Sequence, residues 1–143
     1  MKTFIRPAEI SELDPLISDV TDYLRSLGFS EAFVLETELV VEEMFSNTAY
    51  YAYPDKDTEG YCRFDVELQN DELMIRRIDE GVPFNPLEKE APDTTLSYQD
   101  RPIGGLGIFL IRHYSTRLDY SYEGNKNILT LYRTLPAKAD ERH

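Results

Sequence analysis

Two polar residues in an otherwise apolar segment are the first candidates for chemistry. Glu43 and Asn47 lie four residues apart, a spacing that puts two side chains on one face of a helix. Asn47 offers an amide oxygen to a hydrated Mg²⁺, a cation that takes few protein ligands. Glu43 could accept a proton from an attacking hydroxyl or water. A solvated Glu and an Asn bonded to backbone would give the same pattern, so the pair alone leaves both interpretations open.

An Asp-x-Gly turn follows the predicted strand 73–78. Asp79 would present a carboxylate at the strand end, where it can accept a hydrogen bond from the amino group of a purine. Gly81 would let the backbone approach the purine ring closely, because glycine has no Cβ. An ordinary strand-ending turn is the alternative.

A glycine-rich turn, Gly104-Gly105-Leu106-Gly107, opens the last apolar helix. Free backbone N–H groups at the start of a helix attract phosphate. The segment lacks the Lys-Ser/Thr of a P-loop, and it does not follow a strand as a dinucleotide-binding turn does. A flexible hinge before a core helix is the alternative.

Sequence periodicity predicts the elements that position these segments. Apolar spacing predicts a helix within 8–27, with Asp14 as its N-cap and Pro15 as its first residue. A second helix is predicted from the N-cap Ser30 to a point before Pro54. The predicted strands are 2–6, 60–69, 73–78, 117–122 and 128–133, with a short helix at 107–114.

This order of elements predicts an α/β (α+β) fold class. We expect a two-layer sandwich in which a mixed, mostly antiparallel sheet is covered on one face by helices. The connection 80–103 contains four of the eight prolines, and a long irregular connection inside a compact domain is usually functional. We expect a single domain over residues 1–143.

Composition narrows the function classes. The 143 residues carry a formal net charge of -12, which argues against nonspecific binding to nucleic acid phosphates. Cys62 is the single cysteine, so no intrachain disulfide can form, and a cytoplasmic location is expected. No apolar run reaches the about 18 residues of a membrane span. His113 and His143 are isolated, so a His/Cys metal cluster is not expected.

Taken in order, the three segments resemble those of the GHKL (Bergerat-fold) ATPases, and within them the RsbW-like anti-sigma factor serine/threonine kinases. The matching features are an Asn on a long helix, strand-Asp-x-Gly-x-Pro-Phe, a proline-rich lid and Gly-Gly-Leu-Gly-Ile-Phe-Leu-Ile. The resemblance implies the cofactors ATP and Mg²⁺, Glu43 as general base, Asn47 as the Mg²⁺ ligand and residues 80–104 as an ATP lid. The nucleotide contacts that it implies are Asn47, Asp79, Gly81, Pro83, Phe84, Gly104, Gly105, Leu106, Gly107, Asn127 and Thr130.

Three positions depart from the family pattern. Tyr51 stands where a His is common, four residues after the Asn, and Leu106 stands where an Arg is common between the glycines. Asn127 takes the place of a Thr that supports the adenine-binding carboxylate. None of the three removes the implied Mg²⁺ ligand or the implied base.

By resemblance, the chain is a bacterial, cytoplasmic, homodimeric anti-sigma factor. It would phosphorylate a Ser or Thr of a STAS-domain anti-sigma factor antagonist and regulate transcription by partner switching with a sigma factor, without direct contact to nucleic acid or membrane. One alternative is a non-catalytic or nucleotide-gated module that sequesters a sigma factor or another regulator. Another is a histidine-kinase-type catalytic domain without its dimerisation helices, in which His113 is a poor phosphoacceptor.

Overall fold

The computed structural model describes residues 1–55, 59–88 and 105–136. The elements are β1 (Lys2–Pro7), α1 (Leu13–Ser26), α2 (Glu31–Asn47), β2 (Tyr61–Gln69), β3 (Glu72–Asp79), α3 (Gly105–His113), β4 (Arg117–Glu123) and β5 (Lys126–Thr134). Short 3-10 turns lie at Ile10–Glu12 and Pro86–Glu88, and a π-helical turn, Thr48–Ala52, continues α2. Every predicted helix and strand is confirmed, with some of the ends shifted.

The five strands form one sheet in the order β1-β2-β3-β5-β4, and the four pairings are all antiparallel. Tight turns close the two predicted hairpins. Asn70 adopts φ 51 between β2 and β3, and Gly124 and Asn125 adopt φ 59 and φ 62 between β4 and β5. Two successive residues with positive φ form the turn whose twist matches that of antiparallel strands.

The helices pack on one face of the sheet. Alternate strand residues point to that face and join the helices in one apolar core. Its members include Phe64, Ile75, Leu129 and Leu131 from the strands, and Leu24, Val41, Phe45 and Ile111 from the helices. The predicted two-layer sandwich is confirmed, but the sheet of the described strands is antiparallel throughout and not mixed as predicted. In the described ranges, no helix has the length and apolar content needed to cross a membrane.

The entry to α1 differs from the prediction. The helix begins at Leu13, directly after the 3-10 turn, and its N-cap position is Glu12 with no side-chain cap bond. Asp14 therefore lies inside the first turn, and the predicted Asp14 cap is wrong. The backbone is already helical at Glu12 (φ -89, ψ -2), so no extended capping residue is needed. Pro15 is tolerated there because the N–H groups of the first turn have no partner within the helix.

The entry to α2 agrees with the prediction. Ser30 is extended, and its hydroxyl accepts a hydrogen bond from the backbone N–H of Phe33 at 3.3 Å. That bond satisfies one of the free N–H groups of the first turn. The cap fixes where α2 starts and therefore which residues reach its other end, 17 residues later.

Candidate functional site

The end of α2 supplies the first wall of the candidate site. Asn47 is the last α-helical residue, and the π-helical turn Thr48–Ala52 follows it. Such wide turns are rare and are frequently found at functional sites. Asn47 and Thr48 are both buried. Thr48 Oγ1 donates to Asp79 Oδ2 at 2.9 Å, which joins the end of α2 to the end of β3.

Asp79 is the centre of a hydrogen-bond network. Its side chain is only 2% exposed. Oδ1 accepts from the backbone N–H of Gly81 at 3.0 Å and from Asn127 Nδ2 at 2.9 Å, while Oδ2 accepts from Thr48. A buried carboxylate needs such donors, since burial without partners would be costly. The network holds the carboxylate in one orientation.

Asn127 lies on β5 directly opposite Asp79 and ties the following turn to the sheet. Its Nδ2 donates to Asp79 and to the Val82 carbonyl at 2.8 Å, and its Oδ1 accepts from the Phe84 N–H at 3.0 Å. The Tyr120 hydroxyl also donates to Oδ1. Asn127 therefore supports the carboxylate, as the resemblance implied, and in addition fixes the backbone of 81–84.

Gly81 packs closely against the end of the π-helical turn. A Cβ there would lie 2.2 Å from the carbonyl oxygen of Ala52 and 2.5 Å from its Cβ. The Val82 N–H donates to the same carbonyl at 2.8 Å. In the described structure the close neighbour of Gly81 is thus the π-helical turn, so the predicted role of Gly81 in approaching a ring is not needed to explain the glycine.

Tyr53 clamps the same turn from the other side. Its hydroxyl accepts from the Glu80 N–H at 2.9 Å and donates to the Tyr61 carbonyl at 2.7 Å. Its ring fills the space beside Gly60, where a Cβ would lie 2.4 Å from the ring. Burial is the main cause that raises the pKa of Tyr53 to about 12. This clamp has no local signal in the sequence.

These elements surround one narrow, partly open cavity. Its lining residues are Asn47, Thr48, Ala52, Arg77, Asp79, Phe84 and Asn127. No part of the cavity is wide enough for a water molecule. Phe84 stacks on Tyr51 with ring centroids 5.6 Å apart, which closes one side. A purine could enter only if Phe84 or the turn moved outward.

The predicted Mg²⁺ ligand Asn47 and the predicted general base Glu43 lie one turn apart on α2. Asn47 is 5% exposed, lines the cavity, and makes no side-chain hydrogen bond among the described residues. Glu43 is half-buried, and desolvation, with a smaller contribution from the neighbouring Glu42, raises the pKa of its carboxyl. A raised pKa makes its carboxylate a stronger base than that of an ordinary Glu.

The donor set fits a Mg²⁺ ion that is held mainly by phosphate and water. Within the described residues, no group of three or more His, Cys, Asp or Glu side chains could hold a metal. The Asn47 amide, which has no partner among the described residues, offers one oxygen ligand, and Mg²⁺ keeps several waters and binds few protein groups beside substrate phosphates.

Arg77 is a site residue that the sequence reasoning missed. It lies two residues before Asp79 on β3, on the same face of the sheet, and its Nη1 donates to the Met44 carbonyl at 2.9 Å. A charged residue at a buried position in strand alternation was a readable signal, because Leu73 and Ile75 share this face.

The structure corrects one predicted nucleotide contact. Thr130 lies an odd number of residues from Asn127, so it faces the opposite side of the sheet. There its Oγ1 accepts from Arg76 Nε at 3.1 Å. The structure therefore keeps Thr130 away from the cavity.

The remaining predicted contacts are only partly placed. Pro83 is exposed, and Phe84 lines the cavity. α3 begins at Gly105, so Gly105, Leu106 and Gly107 form its first turn. Gly104 and most of the predicted lid lie outside the described residues.

Known proteins resemble this chain in sequence and in fold. The curated anti-sigma F factor of Clostridium beijerinckii is 22% identical over 116 residues, which cover 81% of this chain and 71% of that protein. A crystal structure of the RsbU and RsbW domains of a Mycobacterium tuberculosis protein matches 96% of this chain with a TM-score of 0.64 and 13% identity. This chain spans 34% of that longer chain.

A second solved structure shows the same fold. The histidine kinase domain of a blue-light activated histidine kinase from Erythrobacter litoralis matches 95% of this chain and 66% of its own, with a TM-score of 0.52 and 15% identity. At the level of sequence, residues 6–133 match the family described as the histidine kinase-like ATPase domain. The chain therefore belongs to the histidine kinase-like ATPase domain family.

Proposed function

We propose that the chain is an ATP- and Mg²⁺-dependent serine/threonine protein kinase that serves as an anti-sigma factor. It would phosphorylate an anti-sigma factor antagonist of the STAS-domain type and control a sigma factor by partner switching. The family supports ATP binding. The likeness to an anti-sigma F factor and to an RsbW domain supports the finer assignment.

The meeting of Asn47 and Asp79 carries the proposal. These residues come from different elements, yet both line one cavity, and the Thr48 hydroxyl bonds the helix end to the carboxylate. One is a buried amide with no partner among the described residues, and the other is a buried acceptor suited to a purine amino group. An ATP site needs an acceptor for the adenine amino group at one end and an oxygen ligand for the metal at the phosphate end.

Three residues have separate roles in this proposal. Asp79 would orient the adenine ring. Asn47 would hold the Mg²⁺ ion, which when bound neutralises phosphate charge. Glu43 would take the proton from the Ser or Thr hydroxyl of the partner protein. Positioning and charge neutralisation supply most of the rate enhancement in phosphoryl transfer.

A phosphorylation assay tests the role of Glu43. The chain is incubated with γ-labelled ATP, Mg²⁺ and a candidate antagonist protein, and the label on the antagonist is measured. We expect Glu43→Gln to abolish labelling and to leave ATP binding unchanged. The matched control is Glu42→Gln, which changes the adjacent half-buried carboxyl on the same helix. Labelling that survives Glu43→Gln would remove the proposed base.

A non-catalytic binding module is the second candidate, and the narrowness of the cavity favours it. The cavity admits no water, and three protein donors already satisfy much of the Asp79 carboxylate. Thermal unfolding with and without ATP·Mg²⁺ separates the two candidates. Ligand at about 100 times its Kd should add about 2.7 kcal/mol of stability. No shift at millimolar ATP would favour the module.

The proposal also includes a homodimer and a cytoplasmic location. Sedimentation equilibrium measures the first directly, and the expected mass is twice that of the 16.6 kDa chain. A monomer at all concentrations would contradict the dimer and leave the kinase assignment unchanged.

A further inference from the structure

Arg77 is a cation held in the floor of the candidate nucleotide site. The Arg77 and Asp79 side chains are each 2% exposed. The bond from Nη1 to the Met44 carbonyl fixes the guanidinium against α2. In the part of the chain that the structure describes, Arg77 Nε is the one side-chain nitrogen or oxygen that is completely shielded from solvent and has no hydrogen-bond partner. An unpaired buried donor of this kind costs stability unless a ligand supplies an acceptor.

A carboxylate beside this donor has spare accepting capacity. Asp79 Oδ2 lies 3.9 Å from Arg77 Nε, which is an ion-pair contact but too long for a hydrogen bond. Oδ2 accepts one bond, from Thr48, whereas Oδ1 accepts two. A carboxylate oxygen can accept two. The cavity floor therefore presents an unused donor beside an acceptor with one free lone pair.

This pair complements one edge of adenine. That edge carries an amino group, which donates, next to the ring nitrogen N1, which accepts. The Asp79 oxygen matches the amino group, and Arg77 Nε matches N1. A 6-oxo purine has a carbonyl acceptor in place of the amino group and an N–H donor at N1. Its carbonyl would therefore face the Asp79 carboxylate and its N–H would face the Arg77 guanidinium, and neither pair can form a hydrogen bond.

We propose that Arg77 is a base-binding residue that donates through Nε to N1 of adenine, directly or across one water. Arg77 would thereby add to the preference of Asp79 for a 6-aminopurine. This inference rests on the proposed binding of ATP at the site.

An analogue that lacks only N1 tests the proposal. Calorimetric titration compares ATP with 1-deaza-ATP, which keeps the amino group and replaces N1 by C–H. The wild-type chain should bind ATP about tenfold more tightly, the factor that corresponds to 1.4 kcal/mol. Arg77→Met should weaken ATP binding and abolish the preference, and Arg77→Lys, which keeps a donor, should restore part of it. The matched control Arg76→Met should change neither affinity, because Arg76 bonds Thr130 on the other face.

The outcomes separate this role from a structural one and from the proposed function. If Arg77 only stabilises the fold, Arg77→Met should lower the affinities for ATP and for 1-deaza-ATP by the same factor. That result would overturn the proposal. Equal wild-type affinities for ATP and 1-deaza-ATP would also overturn it while leaving ATP binding intact. This wild-type comparison decides even if Arg77→Met does not fold. A wild-type chain that binds neither nucleotide would overturn the proposed function as well.

Discussion

Replacing Asn127 by Ala should destabilise the protein far more than truncating Thr130 on the same strand. The change removes the donor to Asp79, the donor to the Val82 carbonyl and the acceptor of the Phe84 N–H. A hydrogen bond to a charged group contributes about 1.5–3 kcal/mol and a neutral bond about 1 kcal/mol. Because coupled bonds are not additive, we expect a loss of about 3–5 kcal/mol.

That loss is a large part of the about 5–15 kcal/mol that stabilises a typical domain. It should lower the midpoint of thermal unfolding by on the order of 10 °C. The chain contains no Trp, so urea unfolding is best followed by far-ultraviolet circular dichroism. An unchanged m-value would show that the denatured state is the same in both proteins.

Thr130→Ala is the matched control for this measurement. Thr130 is buried on the same strand, but it makes a single side-chain bond, to Arg76, on the opposite face. We expect it to cost about 1–2 kcal/mol. If Asn127→Ala costs no more than Thr130→Ala, the amide network does not hold the turn, and the account of the site is wrong.

Three further substitutions probe the walls of the cavity. Gly81→Ala should lower the free energy of unfolding in urea by at least about 3 kcal/mol, because the new Cβ would lie 2.2 Å from the Ala52 carbonyl oxygen. The control Gly124→Ala, at a position in open space with φ 59, should cost only about 1 kcal/mol. Equal costs for the two substitutions would contradict the clash at Gly81. Tyr53→Phe should lose about 1–2 kcal/mol below pH 10. The raised pKa of Tyr53, about 12, stabilises the fold below the unfolded value near 10, so the penalty should shrink between pH 10 and 12, and a constant penalty would refute this linkage. Glu43→Gln should raise the midpoint of thermal unfolding at pH 7, because the raised pKa of the Glu43 carboxyl means that its ionisation destabilises the folded state. The gain should vanish well below pH 4.5, where the carboxyl is protonated in both states. No gain at pH 7 would contradict the desolvation of Glu43.

Local periodicity was sufficient to predict the elements of this fold. The alternation in β2 and the helical spacing in α2 are direct consequences of one buried face, so they could be read without coordinates. The cap at Ser30 was equally local. The error at Asp14 arose because the 3-10 turn before α1 already supplied a helical entry, and nothing in the composition of 8–13 distinguishes that turn from a loop.

The resemblance predicted which side chains meet, but it could not predict how they are held. The Thr48 bond to Asp79 depends on the π-helical turn, which forms where Ala52 packs against Gly81. That packing joins distant segments and has no local sequence signal. Thr130 and Arg77 were different, because counting residues from Asn127 and Asp79 already places Thr130 on the far face and Arg77 in the site.

A crystal structure of the chain with a non-hydrolysable ATP analogue and Mg²⁺ is the most direct test of the central claim. We predict the adenine amino group on Asp79, the metal on the Asn47 amide oxygen, and Phe84 displaced from its contact with Tyr51. A nucleotide bound elsewhere, with Asp79 and Asn47 both free of ligand, would contradict the account.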